Sequence, residues 1–230
     1  MSDATYELVT PILHSAFKLR IPSRELYQLP SGWFEASSGP VFGRVPIRPG
    51  DNDLLHVGEA TPIGPRITLK GRVVDSDGRG IPHVLIEIWQ ANAAGRYIDR
   101  FCDRPYLPLD PNFKGAGRCL TNSDGNYVFH TIRPSGYAGP PGTHLWRAAH
   151  VHFSIFGPNV ANRLITVCHF DHDPMVERDF VFDQIKDPKA RDRMIAKWEA
   201  AEQEVEGPYL RQVYNWDIVL RGPGQTPMEG

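Results

Sequence analysis

A chain of 230 residues with a formal net charge of −2 and a hydrophobic fraction of 41% can bury one sizeable core. It carries no electrostatic footprint for nucleic acid or an anionic membrane surface. Its three cysteines, Cys102, Cys119 and Cys168, form no C-x-x-C, which argues against a disulfide framework and for a reducing, cytoplasmic location. No apolar run reaches the ~18 residues of a membrane span, and no basic leader precedes an apolar stretch, so a soluble protein without a membrane partner is expected.

Residues 1–60 are rich in Pro, Gly and isolated hydrophobics without a sustained period. A short helix between Ile12 and Leu29 would be limited by Pro22 and Pro30. This stretch reads as an N-terminal arm that packs on a partner or on the following domain, which spans 61–230. Strand signals begin at Ile67–Val74, where alternation ends in the turn Asp75-Ser-Asp-Gly78. Val84–Trp89 is a second strand, with Val84, Ile86 and Ile88 toward the core and Leu85, Glu87 and Trp89 on the other face. After the turn Asn122-Ser-Asp-Gly125 come strands over Tyr127–Ile132, Ala149–Phe156, Leu164–Phe170 and Tyr214–Leu220. Dense strands joined by turns predict an all-β fold, an antiparallel β-sandwich with long loops. One helix is expected in the C-terminal region: Asp187 as N-cap, Pro188 at the first position, Gly207 as the stop, and a stripe of Ala190, Met194, Trp198, Ala201 and Val205.

The residues that carry chemistry start at Trp146-Arg-Ala-Ala-His150-Val-His152-Phe. On a strand His150 and His152 share one face, while Ala149, Val151, Phe153 and Ile155 form an apolar opposite face. By itself the pair suits either two half-exposed strand histidines or one metal ion. Tyr97, closing Gly95-Arg-Tyr97, and Tyr137, after Gly136 in a Pro/Gly-rich loop, are either surface tyrosines or hydroxyls turned into a site. His169 and His172, with Asp171 and Asp173, read as a solvated loop.

The joint pattern resembles the intradiol ring-cleaving dioxygenase family, and within it the β chains of the protocatechuate 3,4-dioxygenases. It is carried by Gly71-Arg-Val-Val-Asp, Glu87-Ile-Trp-Gln-Ala-Asn-Ala, Gly95-Arg-Tyr, Leu109-Asp-Pro-Asn-Phe, Gly117-Arg-Cys-Leu-Thr, Trp146-Arg-Ala-Ala-His-Val-His-Phe, Arg163-Leu-Ile-Thr and Asp217-Ile-Val-Leu-Arg-Gly. The resemblance implies one non-haem Fe(III) per chain, held by Tyr97, Tyr137, His150 and His152. It also implies a small aromatic diol and O2 as substrates, and a homologous α chain as partner in a hetero-oligomer. Hard phenolate donors favour the ferric state, whereas ferrous oxygenases use two histidines and a carboxylate. Catalytic roles follow for Tyr137, as acceptor of a substrate proton, and for Arg147, as a cation beside the ring. Trp89 is expected near the substrate. Three pocket positions depart from the family pattern: Leu13 or His14 replaces a tyrosine of the arm, Gly139 a tryptophan, and Val167 a glutamine. They suggest a catechol with an altered anionic 4-substituent, such as 4-sulfocatechol, beside protocatechuate itself. The alternative is a non-catalytic partner subunit or carbohydrate-binding module of the same fold.

Overall fold

The computed structural model describes residues 46–56, 60–98, 106–139, 142–156, 163–203, 210–222 and 224–228. The chain divides into Met1–Phe42 and Gly43–Gly230, and the described residues all belong to the second unit. The expected arm up to residue 45, with Leu13 and His14, lies outside them.

Eleven strands are described: β1 (Arg66–Val74), β2 (Leu85–Gln90), β3 (Ala116–Leu120), β4 (Asn126–Ile132), β5 (Tyr137–Ala138), β6 (Trp146–Arg147), β7 (His150–Phe156), β8 (Arg163–Phe170), β9 (Ile195–Gln203), β10 (Leu210–Asn215) and β11 (Ile218–Val219). The strand register follows burial. In β2 the buried positions are Ile86, Ile88 and Gln90, and Val84 just ahead of the strand is fully buried. In β7 Val151, Phe153 and Ile155 have no exposure and meet Phe129, Tyr127 and Trp216 in one core. A one-residue slip would turn that face away from this core and put the side of His150, His152 and Ser154 in its place. Both predicted turns form, each around an Asx side chain: Asp75 accepts from the backbone of Asp77 and Arg79, Asn122 from that of Asp124 and Asn126.

The sheet departs from the expected antiparallel sandwich. Its order is β11-β1-β10-β9-β8-β7-β2-β3, with β4 also pairing β1, and it curls into a mixed, nearly closed, barrel-like layer. The parallel pairs are β1 with β10, β1 with β11, and β8 with β9. They arise from return segments: the turns Val176–Arg178 and Phe182–Gln184 and the helix α1 (Pro188–Asp192) carry the chain back to lay β9 beside β8. The predicted strand Tyr214–Leu220 is two strands on one edge of β1, holding one register from Arg66 opposite Arg211 to Val73 opposite Ile218. At the break between them, Trp216 N–H donates to Lys70 O, and the Asp217 carboxylate accepts from Arg72 N–H. Gly71 is required there, since a Cβ would lie 1.9 Å from Trp216 O.

The C-terminal-region helix is a correction as well. Asp187 caps it, accepting from Lys189 N–H, and Pro188 opens it, but it ends after five residues. The rest is β9, antiparallel to β10 from Lys197 to Gln203. Pairing on both flanks overrides the helical spacing. Ala190 and Met194 are buried, but Trp198 stays 50% exposed and Ala201 is exposed, so the apolar stripe is not one buried face; Val205 and Gly207 lie outside the described residues.

The two free margins of the curled sheet, β3 and β4, are bridged by Asp51–Leu54. Arg118 N–H donates to Asp51 O, His130 N–H to Asn52 O, Leu54 N–H to His130 O, and the Asn52 amide to Val128 O. Arg118 Nε also reaches the Asp51 carboxylate at 2.9 Å. Leu54 and Leu55 are fully buried in the core. No helix among the described residues is long and apolar enough to cross a membrane.

Candidate metal centre

Tyr97 is carried by a turn built on Asn92, whose side-chain oxygen accepts from the Ala94 and Arg96 amides while its NH2 donates to Pro108 O. Gly95 holds φ of +81°, and a Cβ there would stand 3.0 Å from Gly136 O and 3.2 Å from Tyr137 Cβ. A side chain at this position would therefore push the two tyrosine-bearing segments apart. Tyr137 is not in an irregular loop: it opens a short ribbon, with Tyr137 opposite Arg147 and Ala138 opposite Trp146. His150 and His152 project from one face of β7.

Four donor atoms converge. Tyr97 Oη lies 3.4 Å from Tyr137 Oη, 3.3 Å from His150 Nε2 and 3.1 Å from His152 Nε2. Tyr137 Oη is 3.3 Å from His150 Nε2, and the two Nε2 atoms are 3.2 Å apart. Four donors around one ion with bonds of about 2.0–2.1 Å would stand roughly 3.3–3.4 Å apart, so the set fits a first-row metal. Two phenols and two imidazoles suit ferric iron by donor hardness. Among the described residues no group of three or more His, Cys, Asp or Glu is placed to hold an ion, so the ferrous two-histidine, one-carboxylate set is not found there.

The surroundings aim these donors. His150 donates from Nδ1 to Ala148 O at 2.7 Å, which leaves Nε2 as the lone-pair nitrogen. Burial, then the charges of Arg147, His152 and His169, hold its pKa well below the ordinary histidine value, keeping the ring neutral. Trp89 stacks on His152 with centroids 4.8 Å apart. Arg147, 7% exposed, pairs through Nε with the fully buried Asp179 at 3.1 Å and lies over the Phe180 ring.

The pocket positions fall differently. Gly139 N–H donates to Leu145 O, and a Cβ at Gly139 would come within 2.7 Å of Leu145 Cβ; Leu145 itself is exposed. Val167 sits opposite His152 but is fully buried, packed with Ala148, Phe182 and Met194. His169 corrects the solvated-loop reading: it is fully buried, opposite His150 on β8, with ring centroids 5.9 Å apart. Burial lowers its pKa to about 4 against the pull of Asp179. His172 beside it is exposed. The sequence does not single out Asp179 or Asn92; the near-continuous apolar run of Leu164–Phe170 is the signal that buries His169, whereas no local pattern marks Asp179.

Comparison with known proteins identifies the family. The family model described as Dioxygenase matches residues 37–222. The chain is 45% identical over 194 residues to the protocatechuate 3,4-dioxygenase β chain of Burkholderia cepacia, covering 83% of this chain and 80% of that one. It is 30% identical over 165 residues to the α chain of Pseudomonas putida, covering 71% and 75%. The solved catechol 1,2-dioxygenase of Pseudomonas arvilla C-1 shares the fold, with a TM-score of 0.57 at 23% identity over 78% of this chain and 59% of that one. The chain belongs to the intradiol ring-cleaving dioxygenase family, whose members generally use non-haem ferric iron. Within that family it is a protocatechuate 3,4-dioxygenase-like enzyme.

Proposed function

We propose that this chain holds one ferric iron on Tyr97, Tyr137, His150 and His152 and cleaves a 4-substituted catechol with O2 to a cis,cis-muconate derivative. The observation that carries it is the convergence of the four donor atoms at 3.1–3.4 Å. Bound iron supplies a Lewis-acid centre that a deprotonated catechol can chelate. A free phenol has a pKa of about 10, so the catechol must lose protons inside the site. Tyr137 accepts one at its phenolate oxygen, where its half-buried side chain reaches the site from the β5–β6 ribbon. Arg147, held by Asp179, presents a fixed cation to negative charge growing on the ring. Trp89 keeps the His152 ring in plane, and the Ala148 carbonyl keeps His150 in its Nδ1–H tautomer. Overall, both atoms of O2 enter the product as the bond between the two hydroxylated carbons is cut.

The 4-substituent is anionic, protocatechuate or 4-sulfocatechol. The arm's Leu13 or His14 takes the place of the family tyrosine, and His14 can donate a hydrogen bond to a sulfonate. Leu145 bounds the room left at Gly139, and Val167 backs His152 from the core. The protein works with a homologous α chain in the cytoplasm, in line with the α and β chains among its relatives. Tyrosinate on ferric iron absorbs visible light, so the loaded protein is red-brown; a non-catalytic subunit or binding module would be nearly colourless. Oxygen uptake with protocatechuate, 4-sulfocatechol and catechol ranks substrates by kcat/KM. A protocatechuate preference of about a hundredfold, about 2.7 kcal/mol, would remove the sulfonate reading; a colourless iron-loaded protein would remove the ligand set.

A further inference from the structure

We propose that Asp179 is a positioning residue, one buried carboxylate that sets both the Arg147 guanidinium and the His150 imidazole; this rests on the reading of His150 as an iron ligand. Asp179 is fully buried and accepts four hydrogen bonds. Its Oδ2 takes Arg147 Nε–H at 3.1 Å and Ala148 N–H at 2.9 Å; its Oδ1 takes Val181 N–H at 2.9 Å and Phe182 N–H at 3.1 Å. Ala148 begins the corner between β6 and β7. Its amide is held by Asp179, and its carbonyl accepts from His150 Nδ1 at 2.7 Å. On the other side of the corner, Arg147 is the register partner of Tyr137. One carboxylate thus governs a bend whose two ends carry Arg147 and His150. All four partners are donors, so an amide in its place would offer an oxygen to one pair and turn N–H bonds against the other.

The test uses iron-free protein with 15N-labelled histidine, and the same protein loaded with iron. Native His150 is expected to show a single Nδ1–H tautomer by its ring nitrogen shifts. Asp179→Asn should lose that signature. Once loaded, it should show a displaced visible band and a kcat/KM lower by about 10- to 100-fold, the range for groups that orient metal ligands. Arg147→Lys should lower turnover yet keep the native His150 signature, because the Ala148–Asp179 bond persists. A native signature and band in Asp179→Asn, or an equal loss of the signature in Arg147→Lys, would overturn the proposal. Should Asp179→Asn not fold, the Ala148 amide of native iron-free protein decides: hydrogen exchange as slow as that of β7 supports the link, and exchange at loop rates refutes it. Failure of the ligand reading would show separately, as native protein that binds no iron.

Discussion

The indole of Trp89 and the imidazole of His152 lie face to face, 4.8 Å between centroids and 1° between planes. They are register partners on β2 and β7, so the strand ladder itself enforces the contact. Removing the indole with Trp89→Ala frees the ring to turn and should weaken iron binding about tenfold, within the range for groups that support ligands. Trp89→Phe should retain most of the affinity. Chelator competition measures both, and an unchanged affinity in Trp89→Ala would show that the stack does not orient His152.

Tyr97 Oη touches all three other donor atoms. Tyr97→Phe and His150→Ala should therefore remove iron or the visible band, whereas Tyr137→Phe should keep iron with a shifted colour and slower substrate binding. Metal analysis beside absorption spectra separates loss of the ion from loss of a tyrosinate. Intact colour and turnover in both Tyr97→Phe and His150→Ala would refute the assignment.

Gly71→Ala should destabilise the fold by at least about 2 kcal/mol, the cost of a forced backbone shift, because the added Cβ meets the Trp216 carbonyl at 1.9 Å. Thermal unfolding of the iron-free protein reads this directly. A melting temperature equal to the native one would mean that the β10–β11 break yields freely.

The Arg48 amide first, then the Arg118 guanidinium, hold the Asp51 carboxyl below the ordinary aspartate value. A folded pKa below the unfolded one means that the unfolded chain binds protons first as pH falls. The stability from Asp51 is therefore present above the ordinary aspartate value of 3.8 and is lost as pH drops through the folded pKa. Asp51→Asn should lower the melting temperature at pH 7 and flatten its fall below about pH 4. Parallel acid limbs for the two proteins would contradict this.

Strands with one face in the core were legible because burial imposes a period of two, as in Ile86, Ile88 and Val151, Phe153, Ile155. β9 was not. Its Trp198 and Ala201, with Met194 just ahead of it, have helical spacing, and the strand is held by partners on β8 and β10 that no local pattern reveals. Likewise, the family resemblance, and not the G-R-Y or H-x-H segments alone, pointed to Tyr97, Tyr137, His150 and His152, which the fold brings together. The contact of Gly95 with Gly136, and the grip of Asp179 on a corner 31 residues earlier, exist only once the chain is folded. The closeness of Leu145 to Gly139, where an added Cβ would come within 2.7 Å of Leu145 Cβ, likewise appears only in the folded chain.

The bridge from Asp51 to Leu54 has a consequence for how the molecule avoids its own kind. Backbone groups along β3 and β4 that would otherwise face solvent are engaged by this short insert. Uncovered strand borders recruit strands from other molecules. Shortening the chain past Leu55 would uncover both borders and two buried leucines together, so such a variant should form concentration-dependent, β-rich aggregates even where the iron-binding residues are untouched. Selection on this stretch would then act through colloidal behaviour as well as through catalysis.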